Sequence, residues 1–411
     1  MKYPITPQYL ESQPEAIAEL YRRLEAFILT DICSRFKVSG EATQTALELI
    51  RQLQRRGYDL TAVERFIRQT LGLTETEYNE IFDRAVGRNQ AYYSDVLTKS
   101  GLISMPFDAL AMEEELMALR RQTQDQLVNI TRSMGFAMRG LDGKVVFTPL
   151  ADVYQRVLDD AAIRVWSGAE SYQSAIYEAT DALTESGLQW VDYESGHHNR
   201  VDVAARRAVM TGIVQVSGQY ANFCAERVPT HYWEVTAHIG ARDKDEPNPW
   251  SNHKSWQGKV YSERAGDIYP SIYAVCGYGE VDGLMGANCR HIRHPFWEGI
   301  SERTYTDEEL ENMDPPPFEF EGRKYTAYEA TQKQRQIETA MRKTRRDLIR
   351  DKAAGLDDKF TVHSVRYRRL NEEYEKFSTA AGLPTQRERM RVAGFDSKLA
   401  REATRAAKKA V

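Results

Sequence analysis

The sequence predicts a mainly α protein with one small α+β domain: a helical bundle, then a compact Trp/His-rich domain, then a charged C-terminal helical region. Three observations predict it. Apolar residues recur at helical spacing over most of the chain on both sides of that domain. Thr-x-x-Glu starts and Gly stops punctuate those patterns. Between His231 and His294 the texture turns aromatic, β-branched and Gly/Pro-rich, and this stretch holds five of the eight histidines, two of the four cysteines and three of the six tryptophans.

Composition sets the outer limits. A chain of 411 residues can bury a large core and is long enough for several domains. Hydrophobic content of 42% beside 28% charged residues is globular. A net charge of -5 excludes a global basic footprint for nucleic acid. Cys33, Cys224, Cys276 and Cys289 are too scattered for a secreted disulfide framework, so reduced thiols in a cytosolic setting are expected. The start MKYPITPQYLESQPEAI lacks the apolar core of a signal peptide, and no run approaches a membrane span.

Taken in order, the Pro-rich first residues are expected to be extended. A helix over Pro14–Phe36 follows from Ile17, Leu20, Leu24, Phe27, Ile28 and Ile32 on one face. Short helices are expected over Thr43–Arg56, closed by Gly57, then Thr61–Thr70 and Thr74–Gly87, the last two opening on TAVE and TETE. A long helix is expected over Ala109–Met138. Asp142-Gly143 then signals a turn before a short strand at Lys144–Phe147. Helix returns over Leu150–Ser186, bent near Gly168 and stopped by Gly187. LQWVDYESGHHNR is a strand or loop, with His197-His198 in a polar segment, and Val201–Arg227 is again helix.

From Thr230 to Tyr305 strand formers, turn clusters and the four glycines of Gly277–Gly286 indicate the small α+β domain. Asp314-Pro315-Pro316-Pro317 reads as a rigid spacer. Thr326–Ala354 reads as a long, exposed helix with a thin apolar stripe (Tyr328, Ile337, Met341, Leu348), set to meet a partner or its own copies. Helical patterns continue over Val365–Ala380 and Gln386–Arg391, and the basic end is expected to fray. The resulting division is 1–108, 109–229, 230–313 and 314–411.

The chemistry-bearing residues concentrate in the middle domain. Cys289, His291 and His294 supply a near set, and His238 and His253 a far set, of N and S ligands such as zinc or another divalent metal requires, with Asp243 or Asp245 as carboxylate alternatives. The bland reading of the same histidines is that they tie loops together by hydrogen bonds, with His238 or His291 stacked under Trp256 or Trp297. A nucleophilic reading takes Cys289 with His291 or His238 and Asp282. A nuclease would use the same histidines around an ion. Trp250, Trp256, Tyr261 and Trp297 are the aromatic side chains expected at an interface, joined by Tyr328 on the charged helix. Arg342 and Arg346, with Lys343, Arg345 and Arg350, form one basic patch. Arg387, Arg389, Arg391, Arg401, Arg405, Lys408 and Lys409 form another, suited to non-specific contact with DNA phosphates.

The segments VDVAARRAVMTGIVQVSGQYA, EVTAHIGARDKDEPNPWSNHKSWQGKVYS and CGYGEVDGLMGANCRHIRHPFWEGIS, with the closing YTAYEATQKQRQIETAMRKTRR, together resemble the tailed-bacteriophage minor capsid protein family known as phage minor capsid protein 2, a relative of head-morphogenesis proteins. The resemblance covers most of residues 1–395. The loop DKDEPNPW between Ala241 and His253 is longer than is typical of that family. The resemblance implies a structural role in a phage head, assembled with the portal protein, the major capsid protein and its own copies. It also implies a place in the virion near the portal vertex; from the residues themselves no membrane and no cofactor are expected. An enzyme-like core, as a metal-dependent hydrolase or nuclease, is the alternative it leaves open.

Overall fold

The structure is a computed structural model of the chain and describes residues 3–35, 60–103, 112–139, 145–166, 172–191, 198–286 and 289–410. The described helices are α1 (Pro7–Ser12), α2 (Glu15–Arg35), α3 (Thr61–Lys99), α4 (Glu113–Arg132), α5 (Leu150–Trp166), α6 (Tyr172–Ser186), α7 (Val201–Arg227), α8 (His253–Trp256), α9 (Ile272–Cys276), α10 (Asp307–Glu311), α11 (Ala327–Ala354), α12 (Asp357–Ala380) and α13 (Ser397–Lys409). The strands are β1 (Met134–Arg139), β2 (Val145–Pro149), β3 (Gln189–Val191), β4 (His198–Arg200), β5 (Tyr232–Val235), β6 (Val260–Ser262), β7 (Arg293–Phe296), β8 (Phe318–Phe320) and β9 (Arg323–Tyr325). The chain is therefore mainly helical with small sheets. Among the described residues no helix is long and apolar enough to cross a membrane.

Contacts group the chain into two units: residues 1–16, 75–126 and 206–333 form the first, and residues 17–74, 127–205 and 334–411 the second. This is a different grouping from the consecutive division at 108, 229 and 313. The cuts near 74, 126, 205 and 333 fall inside α3, α4, α7 and α11, so no Pro- or Gly-rich linker marks them.

In the second unit a sheet of order β2-β1-β3-β4 is antiparallel throughout. Gly135 is needed where β1 meets β2, because a Cβ there would stand 2.2 Å from the Thr148 carbonyl oxygen. Met134–Met138, expected as the end of a helix, is strand instead. Its neighbour β2 supplies the backbone partners that a helix terminus would lack. Paired charges lie buried within this unit's apolar interior. Glu25, buried, meets Arg200 at 2.9 Å and Arg346 at 3.7 Å, while Asp202 meets Arg200 at 3.1 Å and Arg22 at 3.6 Å. Arg350 is wholly buried between Asp351 and Asp181, each at 2.9 Å, and His363 Nδ1 lies 2.6 Å from Asp351. Helix α11 is thus not the exposed helix expected. Its apolar stripe is thin because paired charges occupy the buried face.

In the first unit β5 is the central strand of a sheet of order β6-β5-β7, antiparallel on both sides. Buried Glu234 on β5 accepts hydrogen bonds from the Tyr3 hydroxyl at 2.7 Å and from the Thr304 amide at 2.6 Å. The N-terminal segment is not simply extended: Pro7 opens α1 and Thr6 caps it, accepting from the Tyr9 amide. Asp314 accepts from the Gly240 amide at 2.7 Å and pairs with Lys254 at 2.7 Å, so the expected spacer begins on a tethered residue.

Helix α3 corrects a second expectation. Thr61–Thr70 and Thr74–Gly87 are one continuous helix. The Thr74 hydroxyl donates to the Thr70 carbonyl at 2.8 Å, the bond of a mid-helix Thr and not of a cap. Gly72 costs the helix about 1 kcal/mol, which burial of residues such as Tyr78, Ile81 and Phe82 outweighs. The expected helix Thr43–Arg56 with Gly57, and Asp142-Gly143, Lys144, Gly168 and His197, lie outside the described residues.

Candidate metal centre

Three segments converge in the first unit. The first continues β5: Thr236 N–H donates to the Ile292 carbonyl at 3.0 Å, and Ile292 N–H donates to Thr236 Oγ1 at 3.0 Å. This clasp aligns His238 with the approach to β7. The second is the one-turn helix α8, whose first residue is His253; Asn252 caps it by accepting from the Ser255 amide. The third is Cys289-Arg290-His291, which follows the glycine-rich loop. There Gly283 passes so close to the Gly277 carbonyl oxygen that a Cβ would stand 2.0 Å from it.

These segments bring His253, Cys289 and His291 together. One ligand atom from each lies within 4.8 Å of the others, and all three residues are buried. Cys289 Sγ is 3.6 Å from His291 Nδ1 and 3.9 Å from His253 Nδ1, and the His291 amide points at the same sulfur at 3.4 Å. The far side of each ring meets an oxygen. His253 Nε2 lies 3.1 Å from the Asp282 carbonyl, and His291 Nε2 lies 3.1 Å from Gln257 Oε1. Trp256, fully buried, closes one wall, with ring centroids 4.7 Å from His253 and 4.9 Å from His291.

Burial dominates the electrostatics. It lowers the pKa of His291 well below the ordinary imidazole value, helped by His238 and His253, and it lowers that of His253. It also takes His238 down to about 4, with Arg290 acting in the same direction. The rings are therefore neutral at pH 7. Burial pushes the Cys289 thiol up to about 11, the opposite of what an activated nucleophile needs. Asp282 does not complete a Cys-His-acid set. Its carboxylate instead holds the 248–251 turn, accepting from Ser251 at 2.5 Å, Trp250 at 3.0 Å and Asn248 at 3.1 Å, and those bonds bring its pKa down to about 2.

Two of the five candidate ligands stand apart from the convergent three. His238 stacks on His291 with centroids 4.5 Å apart and donates from Nδ1 toward its neighbouring carbonyl. His294 is directed elsewhere. It lies three positions after His291 along the chain entering β7, and an odd offset puts side chains on opposite faces. There it stacks on Tyr3 at 4.2 Å and meets the Tyr93 hydroxyl at 2.7 Å. Asp245 accepts from Asn252 at 2.9 Å. Gln257 and the Asp282 carbonyl, which orient the rings, carry no sequence signal, because any residue type offers the carbonyl.

The aromatic residues expected at an interface are mostly interior. Trp256, Tyr261 and Trp297 are buried, and each polar tip has an internal partner: the carbonyls of Trp250, Trp256 and Val228 at 2.8, 2.7 and 2.9 Å. Trp250 and Tyr328 are half-buried. Arg346 is buried beside Glu25, and half-buried Arg342 donates to the Arg389 carbonyl at 2.8 Å, so this basic patch serves the second unit's interior.

The family described as "Phage minor capsid protein 2" matches residues 5–378. A protein described as "Structural protein" from Lactococcus phage LL-H is 26% identical over 160 residues, which cover 37% of this chain and 41% of that protein's length. No solved structure matches the chain.

Proposed function

The chain belongs to the phage minor capsid protein 2 family, and on that footing we propose that it acts in assembly of a tailed-phage head, at the portal or head–tail vertex. The family match along residues 5–378 is the observation that carries this reading. The interior chemistry is compatible with it. The His/Cys cluster is buried, with Trp256 closing one wall, as suits a rigid component. The proposed partners are the portal protein, the major capsid protein and further copies of this chain.

Contact with packaged DNA falls to the exposed side of α13. Lys398, Arg401, Arg405, Lys408 and Lys409 are exposed and recur at helical spacing, while Leu399, Ala403 and Ala407 are buried.

The test is co-expression of the chain with the portal protein of its phage, followed by mass photometry of the co-purified material and protein mass spectrometry of purified particles. A ring-sized complex of fixed stoichiometry, with the chain present in particles, is the expected result. A monomer that ignores the portal and is missing from particles would remove the proposal.

A further inference from the structure

We propose that His253, Cys289 and His291 bind a zinc-type divalent cation that staples the 249–257 turn to the strand leading into β7. The inference goes beyond the capsid role and does not depend on it. It begins with the ring tautomers. The Asp282 carbonyl can only accept, so His253 Nε2 carries the hydrogen and its Nδ1 carries the lone pair. Gln257 Oε1 is fixed as the oxygen because it also accepts from the His238 amide at 3.0 Å. His291 Nε2 therefore donates as well, and its Nδ1 also carries a lone pair.

Both lone pairs face one sulfur, at 3.6 and 3.9 Å. A thiol has one hydrogen and can satisfy one of them. The second imidazole is left with its lone pair against the sulfur in a buried place. A cation satisfies all three groups at once. At a tetrahedral zinc with ordinary bond lengths, sulfur and nitrogen stand about 3.6 Å apart. The three ligand atoms, within 4.8 Å of one another, reach that arrangement if the loops close by roughly 1 Å.

The surroundings match those of a bound metal. Each histidine donates its remote N–H to an oxygen, which fixes the tautomer and raises ligand basicity, and the His291 amide points at the sulfur where a thiolate would gain a donor. Two imidazoles and a thiolate select zinc or a neighbouring transition metal over magnesium or calcium. On binding, the Cys289 S–H bond breaks, the sulfur electron pair goes to the ion and the proton leaves to water. His238 stays stacked on His291, outside the three-residue ligand set.

The experiment uses the full chain without a histidine tag, exposed to Zn²⁺ and passed through gel filtration. Elemental analysis is expected to find about one zinc per chain, and chelation to lower Tm and raise amide exchange in 249–257 and 289–292. Co²⁺ in place of Zn²⁺ should give a thiolate-to-cobalt charge-transfer band. That band should vanish in Cys289→Ser and weaken in His253→Asn, while His294→Asn keeps full metal content. Should Cys289→Ser fail to fold, the wild-type metal content and cobalt band decide alone. A wild-type chain that emerges metal-free, without the band and with a Tm indifferent to chelator, overturns the proposal. So does a folded Cys289→Ser that retains its zinc.

Discussion

Glu25 shows how much a single residue can hide from a sequence reading. It sits on the apolar face of α2, where periodicity announces a helix but cannot announce a buried charge. Burial pushes its carboxyl pKa up, but the guanidiniums of Arg200 and Arg346 more than offset this and hold it below the ordinary carboxylate range. Asp202 behaves alike: burial raises it, and Arg200 and three further arginines bring it down. A depressed folded pKa means that these groups contribute fully above the unfolded value of about 4, and that the contribution is lost as pH falls through the lower folded values. Denaturant melts from pH 7 to pH 3 should therefore show stability falling on the acid side. Glu25→Gln should cost about 3–5 kcal/mol at pH 7 and flatten that fall. Unchanged stability at pH 7 would show that the pair contributes nothing. The five candidate His and Cys side chains were legible from residue type and spacing, but the convergence of only three of them was not. That choice depends on which face of an extended strand His294 takes and on a Gln257 amide with no motif around it.

Among the elements, the long helices were the most legible. Val201–Arg227 and Thr326–Ala354 stand within a residue of where periodicity put them, because each carries a helical pattern between clear breakers. Helix α3 was cut in two because Gly followed by Thr has the local grammar of a stop and a cap, and only burial on both sides of Gly72 decides against it. The difference can be measured. A Cβ at Gly72 would meet nothing within 4 Å, so Gly72→Ala should stabilise the chain by about 0.5–1 kcal/mol in urea melts. A turn with left-handed geometry at that glycine would reverse the sign. The exposed character assigned to α11 failed for a related reason. Mixed charge reads as a solvated face unless its partners are known, and Glu25 and Asp181 lie far away in sequence.

For the whole molecule, the missing signal is the interleaving. Domain boundaries in sequence are sought at linkers, yet the contact boundaries lie inside helices. The second unit takes Arg346 and Arg350 from the last part of the chain to neutralise Glu25 and Asp181 from the earlier parts. A chain ended after Met313, at the Pro-rich segment that looked like a spacer, should therefore lack a cooperative thermal transition in that unit and expose apolar surface to a hydrophobic dye. A truncated chain that melts sharply, and whose α2, α5 and α6 keep full amide protection, would count against the interleaved arrangement.

The same interleaving bears on when the protein becomes usable during infection. The first unit waits for residues up to 333 and the second for the last helix, so the second is complete only once the whole chain has been made. At bacterial elongation rates of about 5–20 residues per second, a chain of 411 residues takes roughly 20–80 s to make, during which unfinished surfaces depend on chaperones. A chain stopped before residue 333 then lacks part of both units, and one stopped after it still lacks the end of the second.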